Sequence, residues 1–486
     1  MKTLVIFDDT NVKSEVIQDV IGDKGFADVV VKKKRLELYY FDMIRELYPD
    51  AEWKLVRYPY EFHDLLDKLE METADGVRAL HCFSNYVITD KEAVQLSFEK
   101  LKYIENVYKV LSNKKAAAVM FPNIRAYQRF LAQTCSGQSI SETVKSIEGK
   151  FDTDGLIDIG IVSHFIQCIT GNFDSRYFNS LEGDEYTLVK SSANKKKIKS
   201  EYSYYQLLPA DMKMWFVMPF NYKEEKEKAC YVMERLHMTD LAVKWVHGSV
   251  DEKEFEELLD KYFYFFHLRH KNNVSADEYA RISDELYVVK VVKRVEELKQ
   301  LEQFEKIERL LEADGSANSL DAILEKYFEL KEKIERKNQY EHISVIGHGD
   351  PCFANTLYNK TTKTLKFIDP KGALSEEELW TNPYYDIAKL SHSICGRYDF
   401  FNNGLFEIKI NEDFQCELNI DFDNSNYIRI FRGKLEQNGY DYLTVRIYEA
   451  SLFISMLPLH IDYPYKVLGF ILNAVHILKE IEKDVY

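Results

Sequence analysis

"VIGHGDPCFANTLYNKTTKTLKFIDPKG", residues 345–372, decides how the second half of the chain is read. A short apolar run stops at His348-Gly349-Asp350, Asn355 follows at a fixed offset, and Asp369 ends a second apolar run. From 355 onward the pattern is that of a hairpin: strand 355–359, a polar turn, strand 364–368, then Asp369-Pro370-Lys371-Gly372. Asn355 opens this hairpin and Asp369 closes it, so both side chains return to one end, beside the loop carrying Asp350. Three oxygen-bearing side chains are then expected to converge.

Such a convergence suits phosphoryl transfer from a nucleotide. Mg²⁺ is a hard cation that takes one or two oxygen ligands from protein and the rest from phosphates and water. Asn355 and Asp369 are the candidate metal ligands. Asp350 is the candidate catalytic residue, placed to orient a hydroxyl and accept its proton. A further cation, itself fixed by an acid, is needed for the α/β phosphates. Lys190 in the strand "YTLVKSS" and Glu201 in the helix after it supply this pair in chain order. Lys195, Lys196 and Lys197 are rival cations, but Lys190 sits in an apolar strand, where an inward lysine requires a partner.

The pattern H348-G-D350-x-x-x-x-N355, followed by I368-D369, resembles the Brenner-type motif of the aminoglycoside phosphotransferase and choline kinase family. "NPYYDIAKLSHSI" (382–394) is similar to that family's D-[IL]-A segment, where Asp386 would cap a helix and brace the catalytic loop. The resemblance spans roughly residues 156–480 and implies an α+β, two-lobed, protein-kinase-like phosphotransferase domain. Its N-lobe would occupy 156–245 and its helical C-lobe 246–486. It further implies ATP and Mg²⁺ as cofactors and a small hydroxylated molecule as acceptor: a sugar or surface-glycan precursor, an amino alcohol, or an aminoglycoside. "YVMERL" (231–236) stands where the adenine-binding hinge would be, which makes Met233 and Arg235 cofactor-binding candidates. Two departures stand out. The Gly-rich loop is reduced to "TGNFDSRYF" (170–178), so that Asn172, Ser175 or Arg176 would replace backbone wrapping of phosphates. Pro-Lys-Gly follows Asp369 in place of Phe-Gly, which favours a small-molecule kinase over a switched protein kinase. The reduced loop also supports the alternative of a kinase-like module that binds a nucleotide or sugar without chemistry.

Residues 1–155 read as a separate α/β, Rossmann-like domain. "TLVIF" (3–7), "ADVVV" (27–31), "WKLVRY" (53–58), "VRALHCF" (77–83) and "AAAVMF" (116–121) have strand character. "RLELYYFDMIREL", "EFHDLLDKLEME" and "KEAVQLSFEKLKYIENVYKVL" have helical spacing. This rhythm is loosely similar to sugar-activating nucleotidyltransferases, although their Gly-rich entry loop is missing. "FDDTN" (7–11) occupies a strand's C-terminal end and reads first as a turn and helix cap. After 156, "IDIGIVSHFIQCIT" (157–170), "RYFNSL" (176–181) and "EYTLVKSS" (185–192) read as three neighbouring strands. A helix over 195–209 follows, then strands over 213–220 and 229–236. Residues 252–338 are strongly helical, with "DGSANS" (314–319) as a turn.

The net charge of −16 argues against a nucleic-acid partner, since phosphate backbones require clustered Lys and Arg. Seven widely spaced Cys with no C-x-x-C pair read as reduced thiols. With no signal-peptide core or membrane-spanning run, a cytoplasmic protein without membrane insertion is expected. His348 reads as a loop support and Cys352 as a small loop filler. Trp380, Tyr384, Tyr385, Tyr398, Phe400 and Phe401 would build either an ammonium cage or, the blander reading, core. Oligomeric state leaves no trace in the sequence.

Overall fold

Continuous Val/Ile/Leu runs separated by amphipathic segments build a sheet covered by helices, because a strand buried on both faces needs apolar residues at every position. The computed structural model describes residues 2–71, 76–169, 180–184, 186–313 and 319–485. It divides into two units, 1–175 with 247–249, and 176–246 with 250–486.

The first unit holds a six-stranded sheet in the order Ala51–Val56, Lys2–Asp8, Val77–Phe83, Lys115–Phe121, Tyr108–Ser112, Gly149–Asp152. Lys2–Asp8 runs parallel to both of its neighbours. Lys115–Phe121 is antiparallel to the strand on either side of it. Helices Leu36–Leu47, Glu61–Met71 and Lys91–Lys100 carry the expected amphipathic stripes, and Ile124–Cys135 is a further helix that the pattern had not marked.

Three expectations for this region are corrected. "ADVVV" forms a 3₁₀ turn at Phe26–Asp28 and a two-residue strand, Val30–Val31, that among the described residues pairs only with Lys34–Arg35. The long helix expected after Lys91 ends at Lys100, and Tyr108–Ser112 is a strand held by partners on both sides, so pairing overrides the helical pattern. Residues 157–170 are not a strand of the second unit. Leu156–Asp158 pairs with Tyr86–Ile88, and Val162–Ile169 is a helix, so the first unit extends past the expected boundary at 155. Ile157, Ile159 and Ile161 alternate like a strand, but burial of Phe165 and Cys168 at i, i+3 shows the helical period taking over.

In the second unit, Ser180–Gly183, Thr187–Ser192, Ala229–Glu234 and Pro219–Glu224 form a four-stranded antiparallel sheet, in that order. Helix Lys195–Leu207 packs on it through a small cluster of Ile198, Val217, Ala229, Tyr231 and Met233. The segment 213–220 is mostly irregular, and its strand begins only at Pro219. All but Ser319 of the expected turn over 314–319, and the whole reduced Gly-rich loop (170–178) with Asn172, Ser175 and Arg176, lie outside the described residues. Beyond Leu241 the unit is largely helical, and its aromatic wealth is core: Trp245, Tyr262, Phe353, Phe367, Phe400 and Phe401 belong to one buried cluster. Within that region the hairpin stands as expected, Thr356–Asn359 paired with Thr364–Phe367 and Thr356 opposite Phe367. Strand Ile343–Ile346, paired with Lys271–Asn273 and Trp380–Thr381, delivers the chain to His348.

Candidate active site

Lys190 lies in the middle of its strand, opposite Tyr231, and is only 3% exposed. On the facing helix Ile198, Glu201 and Tyr204 recur at i, i+3, i+6 and are all buried, so the same helical face that makes core also turns Glu201 inward. The Lys190 ammonium sits 2.7 Å from Glu201 Oε2 and 2.6 Å from Asp369 Oδ1. Tyr231 donates its hydroxyl hydrogen to the same Glu201 oxygen at 3.2 Å. Burial works against the lysine's charge, but the carboxylates of Asp369 and Glu201 outweigh it and raise its pKa. Lys196 and Lys197 are exposed, and Lys195 reaches toward Glu224 at 3.6 Å. Lys190 is thus the lysine that joins the set.

The hairpin closes where Ile368 N–H donates to the Asn355 carbonyl at 3.0 Å, so Asn355 and Asp369 leave from the same end. Asp369 has a left-handed backbone, φ 54°, which costs a non-glycine residue on the order of 1 kcal/mol and turns its carboxylate toward Lys190. The Asn355 amide donates to the Asp350 carbonyl at 3.0 Å and to Asp350 Oδ2 at 3.2 Å. Its Nδ2 is committed, and its Oδ1 accepts no hydrogen bond among the described residues. Asp369 Oδ2 is likewise unengaged, and its side chain is 42% exposed. Both are oxygens of the kind a hard cation binds. Among the described residues no group of three His, Cys, Asp or Glu is placed to hold a metal ion.

Buried contacts hold the loop in place. Asp386, fully buried, accepts from His348 N–H at 3.0 Å and Gly349 N–H at 2.7 Å, while Arg269 Nη1 lies 3.2 Å away. It braces the loop as expected, but it is not the cap of helix Tyr385–Ile394: it sits inside the first turn. His348 accepts from Asp350 N–H through Nδ1 and donates from Nε2 to the Ile368 carbonyl, each at 3.0 Å. Both ring nitrogens are therefore spent joining loop to hairpin, and burial lowers the imidazole pKa so that it stays neutral. Gly349, at φ 86°, has no alternative: a Cβ there would lie 2.6 Å from Lys371 Cβ. Tyr204 adds a hydroxyl bond of 2.9 Å to the Gly347 carbonyl. Burial pushes the Cys352 thiol well up, which fits a filler.

Lys389 was not anticipated. It lies three residues after Asp386, hence on the same helical face, and its ammonium is 3.0 Å from Asp350 Oδ1. Burial opposes its charge, and the Asp350 carboxylate, above all, raises its pKa nonetheless. The spacing D-x-x-K in "DIAKL" was the available signal.

Not every candidate joins. Met233 lines a small cavity behind Glu201 and Asp369 with Tyr231, Phe216 and Ile368. Arg235 spends its guanidinium on the Asp184 carbonyl at 2.6 Å and its N–H on Tyr186, so it is not brought to the site. Phe400 and Phe401 are buried, and Tyr384 packs against Tyr340, Tyr440 and Tyr448, which is core rather than cage. In the first unit, Asp8 accepts from Thr10 and faces His81 at 3.0 Å. Asp9 accepts from Ser84 at 2.7 Å and Ala27 N–H at 3.0 Å. "FDDTN" is thus a turn, but the cap of helix Glu15–Ile21 is Ser14.

No family model and no curated protein matches this chain. Solved structures do. The chain is similar to aminoglycoside phosphotransferase APH(4)-Ia. A thermostable mutant of that protein in apo form gives a TM-score of 0.36 at 11% identity, covering 62% of this chain and 94% of the other. A ternary complex with ADP and hygromycin B gives 0.34 at 10%, covering 63% and 94%. One with AMP-PNP and hygromycin B gives 0.32 at 11%, covering 62% and 93%. Likeness this distant carries no argument about chemistry, which rests on the geometry above.

Proposed function

We propose that the second unit is a two-lobed, kinase-like phosphotransferase that moves the γ-phosphoryl group of ATP to a hydroxyl of a small molecule. One observation carries the reading: a buried lysine–glutamate pair reaches Asp369, while the same hairpin holds Asn355 against Asp350. These are the parts phosphoryl transfer needs, since its transition state is stabilised mainly by positioning and charge neutralisation. Asn355 and Asp369 would hold Mg²⁺, which when bound neutralises charge on the β- and γ-phosphate oxygens.

Lys190, kept charged by Glu201, binds the α/β phosphates. Asp350 orients the acceptor hydroxyl and accepts its proton. The acceptor oxygen forms a bond to the γ-phosphorus, the bond from that phosphorus to the bridging oxygen breaks, and ADP leaves. Asn355 holds the Asp350 carboxylate in place, and Lys389 supplies positive charge beside the transferring group. Substrate classes in keeping with the reading are sugars or surface-glycan precursors, amino alcohols and aminoglycosides. Seven widely spaced cysteines with no C-x-x-C pair fit a reducing compartment, and we place the enzyme in the cytoplasm. No helix among the described residues is long and apolar enough to cross a membrane.

The test is Asp350→Asn. Its side chain is 39% exposed, so the fold should persist, with a lower melting temperature because Lys389 loses the carboxylate 3.0 Å away. ATP-dependent phosphorylation of an acceptor should fall by about 10²–10⁴, the contribution of a positioned base. Undiminished turnover would remove Asp350 from its role.

A further inference from the structure

The proposed reaction leaves its acceptor undefined, and a cavity of about 250 Å³ in the second unit bears on it. Asp350 forms part of its wall. Around it stand Lys290, Arg294, Lys389 and His460, with Tyr398, Leu452, Met456 and Leu459 as an apolar side. Three permanent cations thus face a single carboxylate in a chain whose net charge is −16. Chance does not favour that sign.

The cations are incompletely neutralised. Lys389 is shared with Asp350 at 3.0 Å. Arg294 meets Glu297 at 2.7 Å, with both side chains about one-third exposed or more. Lys290 donates to the Tyr385 hydroxyl at 2.9 Å and meets no carboxylate among the described residues. The field is legible in a neighbour: burial would raise the Tyr385 hydroxyl, yet Lys389 and Lys290 draw its pKa below the ordinary value. A cavity of this kind repels a polycationic or quaternary ammonium acceptor and attracts an anion. Lys290 and Arg294 sit one helical turn apart, able to grip one anionic group while the apolar side covers a carbon skeleton.

We propose that the acceptor is itself anionic, a small sugar or polyol bearing a phosphate or a carboxylate that Lys290 and Arg294 hold while its free hydroxyl meets Asp350. This rests on the phosphotransferase reading and narrows its substrate class, setting aside amino alcohols and aminoglycosides.

The test uses the full chain with glucose 1-phosphate, glucuronate, glucose and glucosamine, four compounds chosen to differ chiefly in charge. Binding is measured by calorimetry and turnover by ADP release with Mg·ATP. The expected result is binding and kcat/KM at least about tenfold better for the anionic sugars than for glucose, and worst for glucosamine. The two anionic arms separate phosphate from carboxylate recognition. Lys290→Met and Arg294→Gln should each raise KM for the preferred anionic sugar at least tenfold while KM for ATP moves less than twofold. An equal rise in KM for ATP would reassign these cations to the nucleotide and overturn the proposal. So would binding without charge preference, or none of any of the four. Anion-selective binding that vanishes in both variants, with no ADP release from any sugar, would uphold the anionic site and count instead against the phosphotransferase reading. Two variants guard against a folding defect at Lys290, whose bond to Tyr385 is lost in the first.

Discussion

Neutralising Glu201 isolates the contact on which the nucleotide site depends. In Glu201→Gln the side chain keeps its shape and its oxygen, but Lys190 loses the charge held 2.7 Å away. At an effective dielectric of about 20, two unit charges at that distance attract by about 6 kcal/mol. Part of this offsets desolvation of two groups that are each 3% exposed, so the measurable cost of breaking the pair is about 3 kcal/mol. Asp369 remains on Lys190, but it is 42% exposed and water competes for it, so it compensates little. For a unit of roughly 300 residues, with an unfolding entropy of about 2 cal/mol/K per residue, 3 kcal/mol lowers the midpoint by about 5 °C. Lys190→Met should cost a similar amount, because Glu201 is then left with Tyr231 and a distant Lys197 at 3.8 Å. The double variant should cost less than the two singles together by about 1.5–3 kcal/mol, the coupling expected of one buried pair. The assay is urea unfolding of the four proteins, with kcat/KM for ATP measured alongside and expected to fall about 10²–10³ in each single variant. Additive stabilities, within about 0.5 kcal/mol, would mean that the two charges do not support one another and would refute the reasoning.

Two further outcomes follow from the buried groups around the catalytic loop. Asp386→Ala strands two backbone N–H groups and the Arg269 guanidinium in a site with no water access; urea unfolding should show a loss of about 3–5 kcal/mol, and a loss under 1 kcal/mol would mean the brace is not needed. Burial pushes the carboxyl of Asp399 up to about 7, with Ser393 pulling it down and the carboxylates of Asp240 and Asp350 adding to the rise. An acid with a raised folded pKa holds its proton in the native state, so its stability contribution is full below about pH 4 and drains away as the pH climbs through about 7, at about 1.4 kcal/mol per unit. Between pH 5 and 8 the wild type should therefore lose about 3 kcal/mol more than Asp399→Asn, and parallel profiles would contradict this.

The hairpin and its three oxygens were readable because they depend on short offsets. A two-strand ribbon with a polar turn returns its two ends together whatever surrounds it, so Asn355 and Asp369 had to leave the same edge. Lys190 was readable for a related reason, since a lysine in an apolar strand requires a partner. The helix over Val162–Ile169 was not, because three alternating isoleucines satisfy a strand pattern, and only the burial of Phe165 and Cys168 at i, i+3 reveals the helical period. Nor was the end of the helix at Lys100, where strand pairing on both edges of Tyr108–Ser112 overrode an amphipathic pattern.

Local order, then, followed from residue type and spacing: which segments are strands of the hairpin, where its end oxygens fall, and that Lys190 rather than Lys195, Lys196 or Lys197 turns inward. The electrostatic character of the acceptor cavity came only with the folded chain. Lys290, Arg294 and Lys389 lie on two helices separated by nearly a hundred residues, and Lys290 and Arg294 read in sequence as ordinary charges on a solvated face. Periodicity reports which side of a helix turns inward. It carries no information about which other helix will be there, and the sign of a cavity is set by that meeting.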